Sequence, residues 1–286
     1  MKFGLMYSNV FGQPEAAVHL ARTAEEVGLE SLWTVEHVVV PVGYESPYPY
    51  SPTGRMPGSE DSPIPDPLIW LTYVAAATER IKLATGILIL PQRHPFYVAK
   101  ELATLDQLSK GRAILGVGIG WLREEFEGLG IPFEERAERT EESVRALRSL
   151  WKEGHEAFDG KFLRWAAVES NPKPVQAGGV PIVVGGHVDG SARRAARVGD
   201  GYFPLALGDE PRLGELIGVM GEECARIGRD PAEIEITTGF PVTDLDAVKR
   251  AQDLGVSRLM IPPPGFDPEG LRKGLEAFGD TVLAKL

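Results

Sequence analysis

Eight short β-rich runs alternate with stretches of helical periodicity from one end of the chain to the other. The runs are Phe3–Ser8, Ser31–Val35, Ile81–Leu88, Ala113–Val117, Pro181–Gly185, Gly201–Pro204, Ile234–Gly239 and Arg258–Ile261. Helical stripes lie between them at Glu15–Val27, Val98–Leu108, Glu138–Trp151, Ser191–Val198, Leu213–Ile227, Leu245–Leu254 and Pro268–Leu283. Strand then helix, repeated in this way, has one compact solution above others, an α/β fold in the form of a (β/α)8 TIM barrel. A doubly wound open sheet is the competing arrangement. The 286 residues suit a single catalytic domain over 1–286, because such barrels commonly run to about 250 residues.

Two connections are too long for simple turns and read as insertions, 38–67 after the second strand and 151–180 after the fourth strand and its helix. The first holds eight prolines and three tyrosines (Tyr44, Tyr48 and Tyr50), which precludes regular sheet or helix. It leaves the C-terminal end of a strand, so it is expected as a lid over the barrel mouth, with a plain surface loop as the bland reading. In the second, Asp159-Gly160 beside Phe158 and Phe162-Leu163 signals a small hairpin.

Composition narrows the function. With 30 Lys+Arg against 41 Asp+Glu the net charge is -11, which disfavours a nucleic-acid partner needing a basic face. A single cysteine, Cys224, excludes internal disulfides and cysteine metal clusters and suits a reducing compartment, with a buried, inert thiol expected. Neither a signal peptide nor a membrane span is apparent, so a soluble, cytoplasmic protein is expected.

A parallel barrel presents its functional groups at strand C-termini. Metal hydrolysis is disfavoured because only His37 and His187 occupy those ends, and no metal site is expected. A Schiff-base aldolase is disfavoured because Lys82 starts its strand rather than ending it. Glycine is what remains in excess. Gly116-x-Gly118-x-Gly120 follows a strand, but a dinucleotide fingerprint needs glycine where Trp121 stands, so the turn reads either as tight packing or as a ligand cradle. Gly185-Gly186-His187-Val188-Asp189-Gly190 precedes a helix whose amides can receive phosphate, with Asp189 as an ordinary cap the alternative. Glu36 and His37 end the second strand, and alternation sends them to opposite sides. A histidine there can exchange a proton near neutral pH, with the carboxylate orienting it or a neighbour. His94 is a further candidate for the cavity beside Arg93.

These residues also carry a resemblance. Thr85-Gly86-Ile87-Leu88-Ile89-Leu90-Pro91-Gln92-Arg93-His94-Pro95, the run Ala99–Arg112, Gly116-Val117-Gly118-Ile119-Gly120-Trp121, Trp33-Thr34-Val35-Glu36-His37 and Val184-Gly185-Gly186-His187 together resemble the luciferase-like monooxygenase superfamily. More narrowly, the chain is similar to the branch using coenzyme F-420, an 8-hydroxy-5-deazaflavin. The resemblance covers nearly the whole chain. It implies a hydride-transferring oxidoreductase acting on a small organic substrate, with FMN-dependent monooxygenation or a non-catalytic coenzyme-binding barrel as alternatives.

By that resemblance Thr85, Gly86 and Ile87 form a bulge behind the ring, commonly with a cis peptide, here Gly86-Ile87. Gly118, Gly120, Trp121, Gly185, Gly186, His187 and Gly190 would contact the coenzyme's phosphate tail, with Arg93, Arg193 and Arg194 as possible cationic partners. His37 would be the proton partner, with Glu36 beside it. A sugar-phosphate dehydrogenase of this superfamily has an acid after its Gly-x-Gly turn where Trp121 stands here, so sugar phosphate is not implied. Members are often homodimers that pack helices beside strands two and three.

Overall fold

The computed structural model describes residues 1–206, 209–239 and 245–286. Its strands are β1 (Lys2–Leu5), β2 (Ser31–Thr34), β3 (Lys82–Thr85), β4 (Leu88–Ile89), β5 (Ala113–Gly118), β6 (Phe158–Asp159), β7 (Arg164–Trp165), β8 (Ile182–Gly185), β9 (Gly201–Phe203), β10 (Glu235–Gly239) and β11 (Val256–Ile261). The helices are α1 (Pro14–Val27), α2 (Pro67–Ala75), α3 (Pro95–Ser109), α4 (Arg123–Gly128), α5 (Arg136–Trp151), α6 (Asp189–Val198), α7 (Glu210–Ile227), α8 (Leu245–Asp253) and α9 (Pro268–Thr281).

All pairings of the main sheet are parallel, in the order β3-β2-β1-β11-β10-β9-β8-β5-β4, and β3 also pairs with β5. That last pairing closes the ring. Because β3 and β4 both pair with β5, they are two halves of one barrel strand, and the chain is the expected eight-stranded TIM barrel. The strands are buried on both faces, as a sheet covered by helices outside and filled inside requires. Met6, Trp33, Ala84, Ile114, Val183, Phe203 and Met260 fill the interior. The larger cluster lies between sheet and helices, where Cys224 is buried as expected. Among the described residues no helix is long and apolar enough to cross a membrane.

Several elements differ from the sequence expectation. The first strand was read to Ser8 but stops at Leu5; Tyr7 takes a left-handed conformation (φ 55°) and Ser8–Val10 form a 3-10 turn. The third strand is not one run over Ile81–Leu88 but two short pieces, and the bulge between them carries the cis Gly86-Ile87 peptide bond that the family resemblance implies. Helices α2 and α4 were not anticipated. Asp66 starts α2 by accepting hydrogen bonds from the amides of Leu68 (2.9 Å) and Ile69 (3.0 Å), with Pro67 in the first turn.

The hairpin anticipated at Asp159-Gly160 is present as β6 and β7, antiparallel, with Phe158 opposite Trp165. Glu142 on α5 secures its turn by accepting the amides of Lys161, Phe162 and Leu163 at 2.8, 2.8 and 2.7 Å. Residues 35–66, by contrast, contain no strand or helix.

Candidate active site

The bulge after β3 brings three strand ends together. The Ile87 side chain sits so close to Gly118 and Gly185 that a Cβ on either glycine would fall 2.5 Å from its Cδ1 or 2.8 Å from its Cγ2. Only glycine permits this approach, and the result is a continuous wall across the third, fourth and fifth rims. Thr85 Oγ1 fixes the wall from below by donating to the Gly116 carbonyl at 2.7 Å. Gly120 packs against Phe126 and Ile89, whereas Gly190, in the first turn of α6, faces open space. Tyr202 donates to the Gly186 carbonyl at 3.0 Å and holds the turn leading into α6.

Glu36 and His37 engage different partners. Glu36 is buried; its carboxylate accepts the Ile89 amide of β4 and Arg93 Nε (2.8 Å), and Arg93 Nη2 also reaches Asp66 (2.6 Å). Burial pushes the Glu36 carboxyl above its ordinary value, with Arg93 opposing. This group joins the bulge to the end of the lid and does not contact His37.

The carboxylate that meets His37 is Glu125 on α4, which sequence reasoning missed. Its side chain has 0% exposure, and Oε2 lies 3.1 Å from His37 Nδ1. Oε1 accepts the amides of Val38 (2.6 Å) and Val39 (3.2 Å). Burial pushes the Glu125 carboxyl up, but the His37 hydrogen bond and charge, with the backbone amides, outweigh it and hold the group below its ordinary value. An ionised carboxylate only accepts, so Nδ1 carries the proton and Nε2, which makes no hydrogen bond among the described residues, is left to exchange one. The signal available in the sequence was the Glu124-Glu125 pair directly after the fourth rim.

Trp121 also lies beside His37, edge-on at 5.6 Å between ring centroids. The lid tyrosines gather on it: Tyr44 at 5.5 Å, Tyr48 at 5.2 Å, and Tyr50 through Tyr48 at 5.4 Å. Tyr50 in turn reaches His187 at 4.7 Å. These ring contacts place the 44–50 segment against Trp121 and His187, after the fourth and fifth barrel strands. His94 turns away, contrary to the expectation that it lines the cavity, because its Nδ1 caps α3 by accepting the Phe96 amide at 3.2 Å. Asp189 is not the cap of α6 but pairs with Arg212 at 3.1 Å. Arg194 is buried beside Glu141 (3.4 Å), and Arg136 donates to the Gly120 carbonyl at 3.3 Å.

The sequence profile of luciferase-like monooxygenases matches residues 1–260. The chain belongs to the luciferase-like monooxygenase family. It is accordingly an oxidoreductase of that family. An uncharacterized protein of Mycobacterium tuberculosis is 32% identical over 280 residues, covering 94% of this chain and 95% of its own. An F420-dependent glucose-6-phosphate dehydrogenase of Kineococcus radiotolerans is 34% identical over 241 residues, covering 83% of this chain and 66% of its own. Among solved structures, monooxygenase RslO1 from Streptomyces bottropensis superposes with a TM-score of 0.78 at 22% identity, over 100% of this chain and 99% of that one, and shares the fold.

Proposed function

We propose that this family member is a coenzyme F-420-dependent oxidoreductase, transferring hydride between the deazaflavin and a small organic substrate, with His37 as proton partner. The observation that carries the reading is the Ile87 wall across Gly118 and Gly185. A flat ring needs one face backed by a surface without protruding side chains, and the residues present fit that need. The likeness to the F420-dependent relative favours the deazaflavin over FMN.

In this reading Ile87 backs the ring, while Gly186, His187 and the open amide end of α6 at Gly190 hold the phosphate tail. Arg136 and Arg194 supply nearby positive charge in an otherwise acidic protein. When bound, the coenzyme supplies a ring carbon that accepts or donates a hydride. The lid tyrosines and Trp121 keep water out, and the ring atom and substrate carbon must be held within about 3–3.5 Å. Glu125 fixes the His37 ring so that Nε2 takes the substrate hydroxyl proton in oxidation, or returns it in reduction.

Titrating the protein with coenzyme F-420 and with FMN tests the assignment. F-420 is expected to bind at least about tenfold more tightly, a difference of about 1.4 kcal/mol. Tight FMN binding without affinity for the deazaflavin overturns it. F-420 binding without turnover of any substrate would favour a binding-only barrel.

A homodimer through α2 and α3 belongs to the same reading. Their outer faces expose the large apolar side chains Ile69 (74%), Tyr97 (71%), Tyr73 and Leu108. Light scattering is expected to give a dimer for the unmodified chain and a monomer for Ile69→Glu combined with Tyr97→Glu. A monomeric unmodified chain removes the proposal. A cytoplasmic location is also consistent with the buried, single Cys224.

A further inference from the structure

The barrel mouth divides into two electrostatically different halves. On the side of the fourth and fifth rims, Arg136 donates to the Gly120 carbonyl, and Arg194, paired with Glu141, lies on α6 after the Gly185–Gly190 turn, where an acidic coenzyme tail would lie. On the side of His37 the described loops offer no unpaired cation. Among the described residues that follow the barrel strands, 6–13, 35–66, 86–94, 119–122, 186–188, 204–206 and 262–267, the permanently charged bases are Arg55 and Arg93.

Both are committed. Arg93 is held by Glu36 and Asp66. Arg55 donates to the Tyr44 carbonyl at 2.7 Å and lies over the Tyr44 ring. The same lid carries Glu45, Glu60, Asp61 and Asp66, and Glu124 and Glu125 sit behind it.

The ring in contact with His37 is that of Trp121, on which Tyr48 packs in turn. Tyr7 packs on the barrel-interior cluster that includes Met6 and Phe203. Burial raises the Tyr48 and Tyr50 hydroxyls, Tyr50 up to about 12, and the nearby Tyr7 adds to both shifts, so Tyr48 and Tyr50 stay neutral. A phosphate dianion entering this space would lose its hydration and find no unpaired cation in exchange. An uncharged carbon skeleton would lose only ordered water.

We propose that the substrate is an uncharged cyclic or aromatic alcohol, or the matching ketone, rather than a phosphorylated sugar, and that Trp121 is the residue selecting for it. The inference rests on the oxidoreductase reading above. In oxidation, the carbinol C–H bond breaks with its electron pair passing to the deazaflavin, the hydroxyl proton goes to His37 Nε2, and a C=O bond forms. Trp121 then bounds the substrate beside His37 instead of contacting the phosphate tail.

The test begins with protein alone, so that it reads independently of the coenzyme assignment. Saturation-transfer NMR is expected to detect cyclohexanone and not glucose 6-phosphate; absence of the first signal, or a saturable second one, overturns the proposal. With coenzyme F-420 bound, kcat/KM for cyclohexanol is expected to exceed that for glucose 6-phosphate by about a hundredfold. Equal or reversed preference, or no turnover of cyclohexanol by a protein that binds F-420, overturns it. Trp121→Ala is expected to raise KM for cyclohexanol about tenfold with F-420 affinity unchanged. An unchanged KM, or a loss confined to coenzyme affinity, removes the selecting role from Trp121.

Discussion

Glu125→Gln is expected to lower turnover about a thousandfold, by analogy with the amide replacement of the acid in a carboxylate–histidine pair. The glutamine carbonyl can still accept the Val38 and Val39 amides, so the lid base and coenzyme affinity should change little. Its NH2 group, however, would donate to His37 Nδ1, move the ring proton to Nε2, and remove the lone pair that receives the substrate proton. Two measurements distinguish this from a structural defect. Nitrogen NMR of His37 should show the proton on Nδ1 in the parent and on Nε2 in the variant. Urea unfolding followed against pH should show a second difference. The Glu125 carboxyl is held below its ordinary value, so the stability it contributes is present above that value and is lost as pH falls through the lowered one. In the variant this acid-dependent component is absent. An unchanged tautomer with unchanged turnover would refute the role given to Glu125.

Arg93→Met should have the largest effect on stability, about 3 kcal/mol, or roughly 6–10 °C in Tm for a domain of this size. The Glu36 side chain is 1% exposed, and removing Arg93 leaves its carboxylate with the Ile89 amide alone. Asp66 loses its side-chain partner at the same time, although it keeps the α2 cap. Adding Glu36→Gln to Arg93→Met should recover part of the loss, because the uncompensated buried charge is gone. A calorimetric Tm within about a degree of the parent would contradict this account.

The barrel was legible because its signal is local and repeated, with each strand a short apolar run and most helices an amphipathic stripe. The elements that escaped lack that signal. Helix α2 buries Leu68, Trp70, Leu71, Val74 and Ala75 on one face but carries Ile69 and Tyr73 on its exposed face, so apolar residues occur all round it, and it follows a proline-rich segment. Helix α4 is six residues long, too short to show a period.

At the site, the rims carrying Ile87, Gly118 and Gly185 could be named from the sequence, and Glu36 and His37 were placed on opposite sides by strand alternation. Their partners were another matter. Glu125 lies 88 residues from His37 and Arg93 lies 57 from Glu36, separations that only the closed ring of strands brings together. The neighbouring Glu36 was the natural choice by sequence distance, but its chemistry belongs to the bulge.

The proline-rich segment is attached to the barrel at several points along its length. Its beginning is tied by Val38 and Val39 to Glu125, its middle by the Glu45 and Ser46 amides to Glu124 (2.7 and 3.0 Å), and its end by the Pro65 carbonyl to Asn9 (2.9 Å). A segment moored at three points cannot swing away as one flap. On the proposed function, substrate and product would then exchange past the stretch between Tyr50 and Pro65, so residues of that span, rather than a hinge at its root, would set the rate of exchange.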